Sequence, residues 1–207
     1  MTLTADVFWS FRSPYSYLAT ARYRALADEY DVTINLRPVY PLAIREPNFF
    51  ERNHPNWMRY TFLDMFRVAT FHGIPFGPPR PDPIVQDVAT RKIAADQPYI
   101  FRLTRLGQAA ARRGKSLAFC HEVGKLVWGG AENWHEGDHL KGAADRAGLN
   151  LAELDAERTL ILAGVSHDIR TPLARLRLAV EMLPEEGCAS LKHGMVEDIA
   201  DMDNIIH

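Results

Sequence analysis

The sequence predicts an α/β fold: a strand–helix–strand unit with a helical insertion, followed by an α-helical hairpin that is half of a four-helix bundle. Three observations carry this. An apolar run, a capped helix and a β-branched run follow one another within the first forty residues. Helical patterns then fill the chain to about residue 147 with no further strand pattern. Beyond Asn150 the texture changes, because residues 151–207 contain no Trp, Phe or Tyr and carry a net charge of −6, against +4 for residues 1–150. The boundary therefore falls near Asn150, which gives domains of residues 1–150 and 151–207.

Each element has a local cause. Asp6 to Phe11 contains Val7, Phe8 and Trp9 and reads as a buried strand. Ser13 is a good N-cap and Pro14 suits a first helical turn, so a helix runs from about Tyr15 to Glu29. Val32 to Tyr40 is rich in β-branched residues and is closed by Pro41, which makes it a second strand. Short connections between strand, helix and strand imply a parallel pair with a crossover helix. Helices follow near 56–72, 96–113, 115–128 and 138–147. The segment Gly77 to Pro83, GPPRPDP, is too rich in proline for a helix or an inner strand.

Composition removes several function classes. The 207 residues include 24 Lys+Arg and 26 Asp+Glu, a net charge of −2 that gives no basis for wrapping nucleic acid. An apolar fraction of 47% describes a folded chain and not a disordered one. Nothing approaches 18 uninterrupted apolar residues, so no membrane segment is expected. The N-terminus lacks the pattern of a secretion signal, and the expected location is cytoplasmic. Cys120 and Cys188 form no C-x-x-C pair, which excludes a disulfide scaffold, a zinc ribbon and a dithiol redox site.

Chemistry in the first domain centres on Ser13. A hydroxyl where a strand meets a helix N-terminus sits where the helix dipole favours negative charge, so it suits a thiolate or carboxylate of a ligand. The plainer reading is that Ser13 only caps the helix. DVFWSFRSPYSYLA (Asp6 to Ala19), RPVYP (Arg37 to Pro41), HGIPFG (His72 to Gly77) and DRAGLN (Asp145 to Asn150) resemble 2-hydroxychromene-2-carboxylate isomerases and kappa-class glutathione transferases. These are thioredoxin-like proteins of the disulfide-oxidoreductase branch. The resemblance spans roughly residues 4–155. It implies that Ser13 holds and activates the sulfur of glutathione. Arg45, in the loop after the second strand, has two readings: positive charge for an acidic substrate, or an exposed, solvated arginine. Ser13-Pro14-Tyr15-Ser16 stands where relatives have C-x-x-C, so thiol–disulfide exchange is not expected. The family completes its sheet with two more strands and a helix, entered through a cis-proline turn. Nothing after Asn150 matches that ββα half, so the fold expected here is a thioredoxin-like βαβ unit without it.

His135-Glu136-Gly137-Asp138-His139 is a literal H-E-x-x-H. A zinc site needs both histidines on one helix, with the glutamate activating water. Gly129, Gly130 and Asn133 precede the motif and Gly137 interrupts it, so the helix starts too late to hold His135 in register. The motif reads as coincidence, and no metal is expected.

In the second domain Leu162, Val165, Ile169, Pro172, Leu176, Ala179 and Leu183 mark a heptad seam, widened by Leu173 and Val180. Pro184 to Gly187 breaks the helix. Leu191, Met195, Ile199, Met202 and Ile205 mark another. Two helices cannot enclose a core, so a homodimer through residues 155–207 is expected. With Leu162 at position a, His167 falls at f, away from the seam, and Thr171 lies one turn on. Ser166 to Leu173, SHDIRTPL, resembles the H-box of two-component sensor histidine kinases. Ala163 to Leu183 is similar to the osmosensor type. The resemblance implies that His167 accepts the phosphoryl group, that Asp168 orients its ring and takes its proton, and that Thr171 positions water for phosphatase action. Pro172 removes a helical hydrogen bond just past the histidine.

The reading is a fusion of a glutathione-dependent isomerase-like or transferase-like module with a histidine phosphoacceptor module. Its expected partners are a response regulator and a kinase ATP-binding domain in trans, since no ATP-binding pattern occurs in the chain. Two alternatives stand beside it: an isomerase that uses Ser13, and an artefactual or engineered chimera with neither activity.

Overall fold

The computed structural model describes residues 3–46, 52–87, 92–157 and 195. It contains β1 (Leu3–Trp9), α1 (Pro14–Glu29), β2 (Val32–Pro38), α2 (Leu42–Arg45), α3 (Pro55–His72), α4 (Ile100–Arg112), α5 (Ser116–Trp128) and α6 (His139–Arg146). Residues 151–157 are also helical. β1 and β2 pair in parallel from Leu3 opposite Val32 to Trp9 opposite Pro38, and they form the two-stranded sheet of the described residues. The chain divides into a compact unit Met1–Asp155 and a second unit Ala156–His207. Of the second, residues 156, 157 and 195 are described, so the predicted hairpin, the Leu162–Leu183 seam and His167, Asp168 and Thr171 lie outside the described residues. No helix among the described residues is long and apolar enough to cross a membrane.

The βαβ unit forms as its sequence dictates, and the strand ends differ for a physical reason. Asp6–Phe11 was the expected first strand, but the ladder starts at Leu3 and stops at Trp9. Val39 N–H closes it by donating to Trp9 O at 2.8 Å, and Ser13 N–H then turns back to Ser10 O at 3.1 Å. Phe11 leaves the ladder and enters the core, 1% exposed. The second strand ends at Pro38, and not at Tyr40, because the chain then turns into α2. That single turn was not foreseen. It closes on Pro41 O, which accepts from Ile44 N at 2.9 Å and from Arg45 N at 3.2 Å.

Packing follows the apolar periodicity. The inner face of the sheet buries Trp9, Leu36 and Pro38. α4 presents Ile100, Leu103, Leu106 and Ala110 at helical spacing, all nearly inaccessible. It starts at Ile100, four residues later than expected. Gln97, buried in the preceding loop, is occupied there, donating to Val85 O and Ala94 O and accepting from Val85 N. α5 lies against α1, α4, α6 and β2, with Phe119, Val123 and Val127 fully buried. Between α5 and α6 the nearly buried Glu122 accepts from Arg146 Nε at 2.7 Å and from Lys125 Nζ at 3.3 Å. Burial alone would raise its carboxyl, but the hydrogen bonds and charges of Arg146 and Lys125 outweigh it and hold Glu122 below the usual range. The unit closes at its C-terminal end on Leu154, 1% exposed, and on Asp155, whose carboxylate takes two bonds from Arg102 at 2.7 and 3.3 Å.

α4 comes close to the site end of the sheet because Gly107 has no side chain. A Cβ there would lie 2.9 Å from Pro38 Cγ and 3.0 Å from Phe11 Cε2. Gly107→Ala should therefore destabilise the domain by about 1–3 kcal/mol through overpacking, although alanine is the better helix former. Urea denaturation checks this, and a variant as stable as the parent would show that α4 has room to retreat.

Candidate functional site

The site grows from the turn between β1 and α1. Trp9 Nε1 donates to Ser16 O and Thr20 Oγ1, both at 2.9 Å, which ties the first turns of α1 to the strand end. Trp128 Nε1 of α5 donates to Phe11 O at 2.9 Å from a buried position. The backbone on either side of Ser13 is thus fixed by two indoles.

Ser13 is the N-cap of α1, and its Oγ accepts from Ser16 N at 3.3 Å. The capping role weighed from the sequence is therefore present. It does not exhaust the hydroxyl, which keeps its own proton as a donor while it accepts. Pro14 has no N–H and the cap engages Ser16 N–H, which leaves Tyr15 N–H as the first-turn donor outside the cap. Ser13 is half-buried. Hydroxyl, helix dipole and partial desolvation together suit an anionic or polarisable ligand atom.

Sequence reasoning missed the groups around it. Arg12 Nε lies 2.5 Å from Asp82 Oδ1, and the Arg12 guanidinium sits over the Trp128 ring at 5.9 Å. Asp82 also accepts from Ile84 N at 2.9 Å, which anchors the proline-rich loop that contains the cis Arg80–Pro81 bond. On the other side Tyr15 donates its hydroxyl to Asp64 Oδ2 of α3 at 2.6 Å. Phe76 stacks on Trp128 at 5.6 Å with its plane only 6° off parallel, and Tyr17 reaches Pro75 O at 2.7 Å. Arg12 and Tyr15 flank Ser13 in sequence and could have been named. Asp64 and Asp82 carry no local signal, since they lie 49 and 70 residues from their partners.

Arg45 leaves β2 at the same end of the parallel sheet at which Ser13 leaves β1. Its side chain is exposed, and Nε donates to Tyr40 O at 2.8 Å. The H-E-x-x-H segment resolves as its glycines imply. α6 begins at His139 after the Asp138 N-cap, Gly137 has φ +54°, and His135 packs against Tyr99 at 4.7 Å in the loop before. Among the described residues no three His, Cys, Asp or Glu side chains cluster as metal ligands would.

Burial first, then the Asp64 hydrogen bond and charge, push the Tyr15 phenol up to about 12. A tyrosine pKa raised on folding contributes stability that is complete below the unfolded value near 10 and is lost as pH rises through the folded value. Alkaline unfolding should therefore show stability falling between about pH 10 and 12. Asp64→Asn should move the upper limit down without reaching 10, because burial remains. A curve unchanged by Asp64→Asn would mean that Asp64 does not act on the phenol.

Comparison with known proteins places both parts of the chain. Residues 4–159 match the family model described as DSBA-like thioredoxin domain, and residues 157–206 match that of the His Kinase A (phospho-acceptor) domain. A solved structure of 2-hydroxychromene-2-carboxylate isomerase aligns with a TM-score of 0.49 at 20% identity, over 74% of this chain and 70% of that one. The chain thus joins two domain types, and with three quarters of its length inside the first of them it belongs to the DSBA-like thioredoxin domain family.

Proposed function

We propose that the chain is a phosphoacceptor protein in which a DSBA-like ligand-binding domain is joined to a histidine module. His167 receives the γ-phosphoryl group of ATP held by a kinase domain outside residues 1–207, and a response regulator takes the group onward. The observation that carries this reading is SHDIRTPL, Ser166 to Leu173, lying inside the match to a phospho-acceptor domain. Near neutral pH one imidazole nitrogen is free to attack phosphorus while ADP leaves. Asp168 orients the ring and takes its proton, and Thr171 positions the water that hydrolyses phosphoryl groups on the regulator. Residues 155–207 dimerise, because two amphipathic helices bury their seams only against a second pair.

Mixed with ATP alone, the chain should stay unlabelled. With the catalytic domain of an osmosensor-type kinase in trans, it should gain acid-labile, alkali-stable phosphate. His167→Gln should abolish labelling, and Asp168→Asn should slow it. Phosphate retained in His167→Gln would remove the assignment.

A second reading concerns the first domain and is favoured by the spare donor of Ser13. Glutathione binds with its sulfur against the Ser13 hydroxyl, and Arg45 offers positive charge at the same end of the sheet. Because a hydrogen bond to a charged atom contributes about 1.5–3 kcal/mol, Ser13→Ala should weaken glutathione binding about tenfold or more. Isothermal titration checks this. Equal affinity in the two proteins would leave Ser13 as a helix cap and nothing more.

A further inference from the structure

We propose that the free edge of β1 is a self-pairing surface, on which β1 of a second copy docks antiparallel to give a four-stranded sheet. The hydrogen bonds of the ladder show which groups are free. Leu3 N–H donates to Asp31 O and Trp9 O accepts from Val39 N. In a parallel ladder the main-chain groups of alternate residues face the same neighbour. The odd residues of β1 therefore bond to β2, while the N–H and C=O of Thr4, Asp6 and Phe8 face away from it, where no strand lies among the described residues. The side chains there are uncovered too, with Leu3 71% and Phe8 76% exposed and Thr4, Ala5 and Asp6 exposed as well. This edge has no lysine, proline or bulge to block pairing.

The occupant follows from the chemistry of the strand. Free groups on alternate residues of an extended segment match another extended segment. An axis through Thr4 would pair only three residues of each copy within Leu3–Trp9, whereas a two-fold axis through Ala5 pairs five and lets the strand complement itself. In that register Thr4 faces the partner subunit's Asp6, a hydroxyl opposite a carboxylate, and Leu3 faces the partner subunit's Val7. Moving the axis to Asp6 would set two carboxylates opposite each other, which is unfavourable. Moving it to Val7 would set Asp6 against the partner subunit's Phe8. The Ala5 axis also leaves intact the bonds that Asp6 already accepts from Asn35 at 3.0 Å and Arg37 at 3.1 Å on β2. With the even residues hydrogen-bonded across the interface, Ala5 meets its counterpart at a non-hydrogen-bonded position, where the Cβ atoms come closest.

That geometry gives a positional test on the full chain, using Cys188→Ser so that the fully buried Cys120 is the remaining native thiol. Oxidised with diamide, Ala5→Cys should form an inter-chain disulfide at least tenfold faster than Phe8→Cys, whose counterpart in this register is about 20 Å away. Chains held together elsewhere have no reason to prefer position 5 over position 8, since both are exposed. Thr4→Pro removes one N–H from the free edge and none from the β1–β2 ladder, so it should suppress the Ala5→Cys cross-link while thermal unfolding stays cooperative. Equal rates at the two positions, or no cross-link at Ala5→Cys, would overturn the proposal. This comparison stands even where Thr4→Pro fails to fold.

Discussion

The fold depends on two indole N–H groups that hold the end of β1. Trp9 donates to the first turns of α1 and Trp128 donates to the carbonyl of Phe11. Both rings are buried, so an unmade bond would leave a polar atom dry at a cost of about 1–3 kcal/mol. The consequence is a turn that cannot drift. Phe11 goes inward and meets the edges of Trp9 and Phe119, and Ser13, half-buried, is left as the residue that caps α1. A hydroxyl at a helix start holds a defined direction only where its backbone is fixed, and here the core supplies the fixing.

The same turn is supported from below by close approach. α4 touches Phe11 and Pro38 at Gly107, and α5 meets the Tyr17 ring at Gly124, where a Cβ would lie 3.0 Å from Cδ2. Two helices thus press backbone against the rings that flank the turn, α4 on Phe11 and α5 on Tyr17. With two strands among the described residues, the domain takes most of its core from helix faces, and Glu122 closes the α5–α6 contact with charges that are half-exposed at their cationic ends. Such pairs contribute modestly, so the apolar interior and not the ion pair holds these helices together.

What was legible in the sequence was what is local. α1 is written in Ser13-Pro14, α3 and α5 in their apolar spacing, and the fate of H-E-x-x-H in Gly137. Strand ends were misplaced because Phe8 and Phe11 look alike in an apolar run. Phe11 is buried against Phe119 and Gly107, about a hundred residues away, whereas Phe8 points out of an uncovered sheet face. α2 was missed because a single turn after proline has no periodicity to detect. The site was half legible: Ser13 announces itself by its place, whereas Asp64 and Asp82 reach it only through the packing of α3 and of the proline-rich loop.

The join between the two domain types follows the same logic of local anchoring. The match to the first domain ends at residue 159 and the match to the second begins at 157, yet the compact unit stops at Asp155. Leu154 is buried and Asp155 is held by two bonds from Arg102, while Glu153 and Ala156 are exposed. The net charge changes sign near Asn150, five residues earlier, because helix 151–157 takes its polar composition from its outer face, while Leu154 is buried and Leu151 packs partly buried against the core. The last buried side chain, and not the shift in composition, therefore marks where the domain ends. Arg102 belongs to α4, the helix that also carries Gly107 against Phe11, so one rigid element supports both the loop of the candidate site and the point at which the chain leaves the domain.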